Sequence, residues 1–165
     1  MESADFWIEK LALTPHPEGG YYREVYRALE SIPKEALPER FEGTRSFSTS
    51  IFFLLKSGQV SRLHRLKSDE IWHFYEGGPL TIHRIHRDGN YSEIRLGRDA
   101  NAGQVFQAVL PAGIWFGATV SAAEGYALVG CTVAPGFDFV DFELGRRDEL
   151  ISRFSGLADL IKKLT

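Results

Sequence analysis

Residues 58–77 read GQVSRLHRLKSDEIWHFYEG and carry an imidazole, His64, six positions before a carboxylate, Glu70. A turn-like KSD segment lies between two strand-forming stretches, so the two side chains can converge on one cavity from adjacent strands. Imidazole and carboxylate suit Zn, Mn, Ni or Fe, but catalytic metals normally have three protein ligands. A second interpretation stays open, in which His64 is half-buried and structural. Glu70 then pairs with Arg62 or Arg65.

The sequence around this stretch predicts a mainly β protein. Residues 49–55, TSIFFLL, form a short apolar run typical of a strand buried on both faces. Residues 79–97 predict a hairpin in which LTIHRIH and YSEIRLG flank the turn RDGN, where Asp88 and Gly89 supply positive backbone angles. Further strands are predicted at 104–110, 126–133 and 137–144. Short strands at regular spacing, with Gly and Pro between them, indicate a sandwich or barrel.

Helices are predicted at the two ends of the chain. Ser3 precedes an amphipathic segment and predicts a capped N-terminal helix. Residues from about 146 to 164 predict two short helices, each with an apolar stripe, which Gly156 separates. We therefore expect a single domain over residues 1–165, with a barrel core at about 45–144 and the C-terminal helices behind it.

Composition disfavours several function classes. The chain of 165 residues has a formal net charge of −3, and its 19 basic residues are dispersed, whereas nucleic-acid binding requires a concentrated basic stripe. No apolar stretch reaches the roughly 20 residues that cross a bilayer, and the N-terminus lacks the pattern of a signal peptide. The one cysteine, Cys131, permits no internal disulfide and suits a reducing compartment. We expect a cytoplasmic protein that binds neither nucleic acid nor membranes.

Both signatures of the cupin superfamily have counterparts in this chain. The positions that resemble the first signature are Gly58, His64, Leu66, Glu70 and Gly77. Leu66 stands where that signature has its second histidine. Residues 111–116, PAGIWF, resemble the second signature, and Phe116 stands where that signature has a histidine ligand. Both departures therefore affect metal ligands.

At a finer level the chain resembles the cupin-5 family, also called DUF985. The segments that carry this resemblance are HPEGGYYREVYR at 16–27, DEIWHFYEGGPL at 69–80, LPAGIWFGA at 110–118 and LVGCTVAPGFDFVDFEL at 128–144. The resemblance implies a cupin double-stranded β-helix, or jelly-roll barrel, usually paired into a homodimer. Members are largely uncharacterised, and comparisons within the family point toward sugar-nucleotide epimerases such as the dTDP-4-keto-6-deoxyglucose epimerase type.

The resemblance also bears on cofactors. Of the four cupin metal-ligand positions, two keep a ligating residue, His64 and Glu70. Leu66 and Phe116 donate no electron pair and would desolvate their surroundings. We therefore expect no cofactor. If a divalent metal bound, His64 and Glu70 would hold it, and further ligands would have to come from other positions, of which the candidates are His73, His83 and His86.

A metal-free pocket is the alternative, and its acid–base chemistry is coherent. An imidazole in an apolar cavity stays neutral near pH 7, because burial disfavours its cation. A neutral His64 can abstract a proton next to a carbonyl, as the resembled epimerases do, while Glu70 orients the imidazole. A tyrosine would return a proton on the opposite face of the substrate. Tyr75 and Tyr22 are the candidates for this role.

Further residues are candidates for binding a substrate. Glu18 and Arg23 flank a Gly-Gly turn, where the arginine can grip a carboxylate or phosphate. Alternatively the turn is structural, and Arg23 pairs with Glu24 or Glu18. Aromatic side chains near both signatures suit a sugar or another ring, but equally they form core. The predicted substrate-binding residues are Glu18, Tyr22, Arg23, Trp72, His73, Trp115 and Phe116.

Three function classes follow from the sequence. The first is a metal-independent epimerase-like or isomerase-like enzyme that acts on a sugar or nucleotide-sugar with His64 as its base. The second is a cupin that binds a small molecule without catalysis, since the same pocket would serve. The third is a metal-dependent oxygenase or isomerase, which the two replaced ligands disfavour.

Overall fold

The computed structural model describes residues 2–121 and 125–165 and is built mainly of β-strands in two facing sheets. The strands are β1 Thr14–Pro15, β2 Tyr21–Arg27, β3 Ser31–Ile32, β4 Arg45–Ser46, β5 Thr49–Lys56, β6 Val60–Leu66, β7 Asp69–Gly77, β8 Leu80–Ile85, β9 Tyr91–Leu96, β10 Gln107–Leu110, β11 Trp115–Val120, β12 Tyr126–Ala134 and β13 Phe142–Leu144. The helices are α1 Ala4–Lys10, α2 Arg147–Arg153 and α3 Ala158–Lys163. Short 3-10 helices cover Lys34–Ala36, Ala100–Ala102, Phe139–Asp141 and Ser155–Leu157.

The two large sheets enclose one core between them. One contains six strands in the order β1-β2-β5-β12-β7-β10, and the other contains five in the order β13-β6-β11-β8-β9. Neighbouring strands in both sheets run antiparallel. Inward-facing side chains of both sheets, such as Phe53, Val129, Ile82 and Phe116, form one buried core. Each such side chain contributes roughly 1.5–3 kcal/mol by leaving water. The predicted mainly β jelly-roll fold is confirmed.

The terminal helices cover the outer faces of the sheets. Ser3 caps α1 by accepting a hydrogen bond from the backbone N–H of Phe6 at 3.1 Å, as predicted. Helix α1 packs on the six-stranded sheet, where the indole of Trp7 donates to the hydroxyl of Tyr126 at 2.8 Å. Helices α2 and α3 cover the five-stranded sheet through their apolar stripes. The two helices are interrupted around Gly156, as predicted.

Two strand predictions differ from the structure. The predicted 104–110 strand begins only at Gln107. The predicted 137–144 strand is reduced to Phe142–Leu144, because the alternating segment before it forms a 3-10 helix. The side chain of Asp138 accepts from the backbone N–H of Val140 and starts that helix. Asp141 then turns inward to pair with Arg45, and a continuous strand would not allow this.

The hairpin prediction is confirmed, but only one of the two expected positive φ angles is found in its turn. Strands β8 and β9 pair in continuous register from Leu80 opposite Leu96 to Ile85 opposite Tyr91. Of the two predicted turn residues, only Gly89 has a positive φ, at 86°. Among residues 2–121 and 125–165, no helix is both long and apolar enough to cross a membrane.

Candidate functional site

A cavity of about 420 Å³ lies between the two sheets. The exposed lining residues Glu24, Arg27, Asp138 and Phe139 form the rim of the cavity. Its buried end is formed by His16, Glu18, His64, Glu70, Trp72 and Cys131. Within the described part of the chain, no lysine or arginine belongs to the buried end. Charge there can come only from carboxyl, imidazole and thiol groups.

His64 lies at the buried end because strand β6 carries a β-bulge. Phe116 of β11 pairs with His64, whereas two residues later the partner in β6 is Ser61, three positions back. One extra residue in β6 therefore keeps the side chains of Ser61 and His64 on the inner face. A side chain on Gly117 would lie 2.6 Å from the carbonyl oxygen of Ser61, so the glycine permits this close approach.

Glu18 comes to the same place from the HPEGG turn. Gly19 and Gly20 have φ angles of 110° and 72°, in the left-handed region that favours glycine. A side chain on Gly19 would lie 2.2 Å from the carbonyl oxygen of Val60, so the turn sits directly on β6. The Glu18 carboxyl therefore points into the cavity, where its Oε1 accepts a hydrogen bond from the hydroxyl of Ser61 at 2.7 Å.

Glu18 and His64 form a buried acid–base pair. His64 Nδ1 lies 2.7 Å from the carbonyl oxygen of Arg62, which can only accept, so Nδ1 carries a proton. The other nitrogen, Nε2, lies 3.2 Å from Oε2 of Glu18. The same carboxylate oxygen lies 3.4 Å from Nδ1 of His16, which accepts from the backbone N–H of Glu18. Glu18 therefore lies between two imidazoles.

Burial sets the charge of this pair. Burial raises the pKa of the Glu18 carboxyl, although His16, the Ser61 hydroxyl and Arg62 oppose the rise. Burial also lowers the pKa of His64, against the opposing effects of Glu70 and the Arg62 carbonyl. The pKa of His16 is lowered by burial as well. All three shifts favour the uncharged forms. A neutral Glu18 carboxyl can share its proton with the unprotonated Nε2 of His64 across this 3.2 Å contact.

Glu70 has a different environment. Burial raises its pKa to about 7, and the largest opposing effect comes from His64. The Trp72 indole and the Cys131 thiol lie beside the carboxyl and also oppose the rise. Neither gives Oε2 a partner, because that atom has no hydrogen bond within the described chain. The predicted partners Arg62 and Arg65 bond elsewhere, to Pro17 and Glu143. The expectation that Glu70 orients His64 is corrected, because Glu18 makes the contact.

Tyr75 and His73 do not face the cavity, which corrects their assignment to the site. Strand β7 alternates with Glu70 and Trp72 inward, so His73 points outward and bonds to Thr132 and Gln107. The bulge of β7 falls at Tyr75, too late to turn His73 inward. Tyr75 itself is exposed and lies over Gly130 on the outer face.

Trp115 is also outside the cavity. Its ring packs with Leu150 and Phe154 beneath the C-terminal helices, and Arg65 covers its other side. Phe116, the next residue, faces inward and contacts the ring of His64, with centroids 4.2 Å apart. It therefore forms the apolar wall behind the imidazole.

Tyr22 faces the cavity, whereas Arg23, the next residue, lies at its border. Tyr22 pairs with Phe53, packs against the core and lines the cavity. Arg23 borders the cavity but pairs with Phe52, whose side chain packs on the outer face of the sheet. The side chain of Arg23 has no hydrogen bond or ion pair with any residue that the structure describes, so pairing with Glu24 or Glu18 is not found.

Two functional features were not predicted. His16 belongs to the quoted HPEGG segment, and only the turn geometry shows that its ring lies at the buried end. At the rim, Arg27 forms a two-point ion pair with Glu24 and also donates to the carbonyl oxygen of Phe137 at 3.0 Å. Strict alternation would put Glu24 and Arg27 on opposite faces, and a register shift in β2 after Glu24 brings both to the rim, so the sequence pattern gave no signal for the pair.

The residues present do not fit a cupin metal. Leu66 lines the cavity and Phe116 packs on His64, each at a position where the superfamily has a histidine. His64 Nε2, the nitrogen free to ligate, faces Glu18. Among residues 2–121 and 125–165, no group of three or more His, Cys, Asp or Glu side chains has the arrangement of a metal site.

Comparisons with known proteins agree with this fold. The chain is 30% identical over 153 residues to the uncharacterized protein YML079W of Saccharomyces cerevisiae, covering 87% of this chain and 76% of that protein. It is similar to the solved structure of a hypothetical protein from Leishmania major, with 36% identity, a TM-score of 0.90 and 99% of both chains covered. Protein SO0799 from Shewanella oneidensis gives 39% identity and a TM-score of 0.90, covering 100% of this chain and 98% of that one.

More distant structures share the fold alone. Oxalate decarboxylase from Bacillus subtilis gives 17% identity and a TM-score of 0.56, covering 92% of this chain and 36% of that one. The family model described as Cupin superfamily (DUF985) matches residues 5–145. The chain therefore belongs to the Cupin_5 (DUF985) family of the cupin superfamily.

Proposed function

We propose that this cupin is a metal-independent enzyme of the epimerase or isomerase kind, acting on a sugar or nucleotide-sugar by proton transfer. The observation that carries the proposal is the tautomer of His64. Its Nδ1 proton is committed to the Arg62 carbonyl, so the lone pair of the neutral imidazole lies on Nε2, beside Glu18. A neutral imidazole whose lone pair lies at the buried end of a cavity is what a general base requires.

The roles follow from the contacts. When the pair loses its shared proton, His64 Nε2 accepts the proton next to a substrate carbonyl. The Glu18 carboxylate, 3.2 Å away, stabilises the imidazolium that forms. Tyr22 is the remaining tyrosine candidate for returning a proton, because it lines the cavity and Tyr75 does not. The aromatic rings of Phe137, Phe139 and Trp72 suit a sugar ring.

Solvent exchange tests this proposal. The protein is incubated in deuterium oxide with a 4-keto-6-deoxy nucleotide-sugar, and mass spectrometry follows deuterium at the carbon next to the carbonyl. We expect incorporation by the wild type and a rate at least about 100-fold lower for His64→Gln. His83→Gln is the matched control, because that histidine is buried outside the cavity. Equal rates for His64→Gln and the wild type would contradict the role of His64.

A second candidate is binding without catalysis. It is favoured by one contact, since Glu18 already occupies the nitrogen of His64 that a substrate proton would need. In that case the cavity binds its ligand saturably, which calorimetry measures, and no deuterium is incorporated.

We further propose that the chain forms a homodimer, as its family resemblance implies. Apolar side chains on the outer face of the six-stranded sheet support this, for Tyr75 is 42% and Val109 is 52% exposed. Such exposure on a sheet face is typical of an interaction surface. Light scattering during gel filtration should give twice the chain mass of 18.6 kDa. A monomer mass at micromolar concentration would contradict the proposal.

A further inference from the structure

Two buried polar atoms at the buried end of the cavity have no partner in the described chain. They are Oε2 of Glu70 and Nε1 of Trp72, two residues apart on the inner face of β7. Two other unpartnered buried atoms, in Arg84 and Trp115, belong to residues outside this cavity. A buried polar atom without a partner costs about 1–3 kcal/mol, so native proteins rarely retain one without a reason.

The chemistry of these two atoms limits what can bind them. The Trp72 indole offers a hydrogen to donate and nothing else, so the bound group must supply a lone pair. An ammonium group has no lone pair to offer. An anionic group has lone pairs, but among the described residues no lysine or arginine belongs to the buried end to balance its charge.

A hydroxyl group satisfies both atoms at once. It accepts a hydrogen bond through a lone pair and donates one through its proton. The Trp72 indole lies close enough to the Glu70 carboxyl to lower its pKa, so one oxygen beside both groups can bond to each of them. Phe53 and Cys131 line the cavity beside these two side chains.

We propose that the buried end binds a hydroxyl group of a polyhydroxylated ligand, which accepts from the Trp72 indole and donates to Glu70. This rests on the proposed function for the identity of the site and deepens it by naming the chemical group that is recognised. Any charged part of the ligand stays at the rim, where Arg27 is the cation held in place by Glu24 and the Phe137 carbonyl. Glu70 then acts as a binding residue.

Indole resonances give a direct test. The chain has three tryptophans, and each gives one indole N–H signal in a nitrogen-15 correlation spectrum. Trp7 donates to Tyr126 and Trp115 lies beneath the C-terminal helices, so both are internal controls. Trp72→Phe identifies the third signal. Glycerol is the probe, with acetate and ethylammonium as charged probes of similar size.

We expect glycerol to shift the Trp72 signal saturably and to leave the other two indole signals in place. Glu70→Leu should weaken glycerol binding about tenfold, the equivalent of one lost hydrogen bond, while Glu70→Gln keeps an acceptor and binds nearly as the wild type. Glu143→Leu, at an exposed carboxylate outside this cavity, should change nothing. No saturable shift with glycerol, or a stronger response to ethylammonium or acetate, overturns the proposal.

This test is independent of catalysis. Glycerol has no carbonyl and therefore no carbon acid, so His64→Gln should bind it as the wild type does. If deuterium exchange fails while glycerol shifts Trp72, the proposed reaction is wrong and the hydroxyl site stands. If exchange succeeds and glycerol leaves Trp72 unmoved, the hydroxyl site is wrong and the reaction stands.

Discussion

Two buried carboxylic acids in this molecule have opposite environments. Asp141 is 5% exposed and accepts two hydrogen bonds from Arg45, each 2.6 Å long. Glu70 is 7% exposed, and among the described residues no lysine or arginine lines the buried end beside it and no group bonds to its Oε2. Similar burial therefore serves different ends. Asp141 holds the segment before β13 against β4, whereas Glu70 stays available to something that enters the cavity.

The buried histidines repeat this contrast. His83, on the outer face of the five-stranded sheet, has both nitrogens bonded, to the hydroxyls of Tyr91 and Thr119 at 2.7 and 2.9 Å. His64 commits one nitrogen to a carbonyl and faces a second titratable group, Glu18, with the other. Buried polar groups that are satisfied by fixed partners stabilise the fold, and those that are left open point to the site.

Breaking the Asp141 pair should have the largest effect. Asp141→Ala leaves the guanidinium of Arg45 buried without its partner, so we expect the free energy of unfolding to fall by about 3–5 kcal/mol. Urea unfolding followed by circular dichroism measures this. Glu143→Ala is the control, since its pair with Arg65 is exposed and should contribute far less. A loss for Asp141→Ala as small as the control's would contradict the contrast.

The pH dependence of stability should isolate Glu70. Its pKa is about 7 in the folded chain against 4.5 as the ordinary value. Between these values the unfolded chain has lost the proton and the native chain still holds it, so stability from Glu70 declines as pH rises from 4.5 toward 7. Glu70→Leu lacks this decline. Its stability relative to the wild type should grow by about 3 kcal/mol across that window.

Urea unfolding of both proteins at several pH values measures this difference. A difference that stays flat over the window would show that Glu70 titrates normally in the folded chain.

Part of the gain in stability from Glu70→Leu should remain at a pH where Glu70 is uncharged. At about pH 4, Glu70 is protonated in the native chain and mostly so in the unfolded one. Glu70→Leu still removes a buried polar atom without a partner, so we expect it to be more stable than the wild type by about 1 kcal/mol. Thermal unfolding at that pH checks this. Destabilisation by Glu70→Leu would mean that Glu70 has a structural partner after all.

The smallest effect is expected for metal content, which should not differ between the wild type and His64→Ala. Elemental analysis of protein purified without chelator or affinity nickel should give far less than one equivalent of metal, for the wild type and for His64→Ala alike. About one equivalent of metal in the wild type, absent from His64→Ala, would contradict the contrast between Glu70 and Asp141. Glu70 would then have a metal ion as its partner.

Much of the fold was predictable because it depends on local patterns. The hairpin, the Ser3 cap and the break near Gly156 follow from short segments, and the signature spacings led to the correct superfamily. The prediction of a strand over residues 137–144 was wrong at its start, where residues up to Asp141 form a 3-10 helix. Asp141 is buried there in an ion pair with Arg45, which lies far away in the sequence. A pattern in one segment carries no information about that partner.

The site was predictable in part. Glu70 and Trp72 share the inner face of β7 as period-two alternation requires, and the same alternation puts His73 outward. Tyr75 lies outward by the same alternation. Trp115 was misassigned because aromatic residues suit a core and a cavity equally. The contact between Glu18 and His64 depends on a turn and a bulge that meet only in the folded chain, so spacing along the sequence could not predict it.

The assembly of the site from separated segments has a consequence for folding. Glu18 precedes His64 by more than forty residues, and the HPEGG turn lies against β6 in the folded chain. Contacts between residues so far apart in the chain close slowly and late. Partly folded chains therefore lack a complete cavity, and a ligand binds the native state alone. Such a ligand would raise the melting temperature and slow degradation in the cell, even if the protein never converts it.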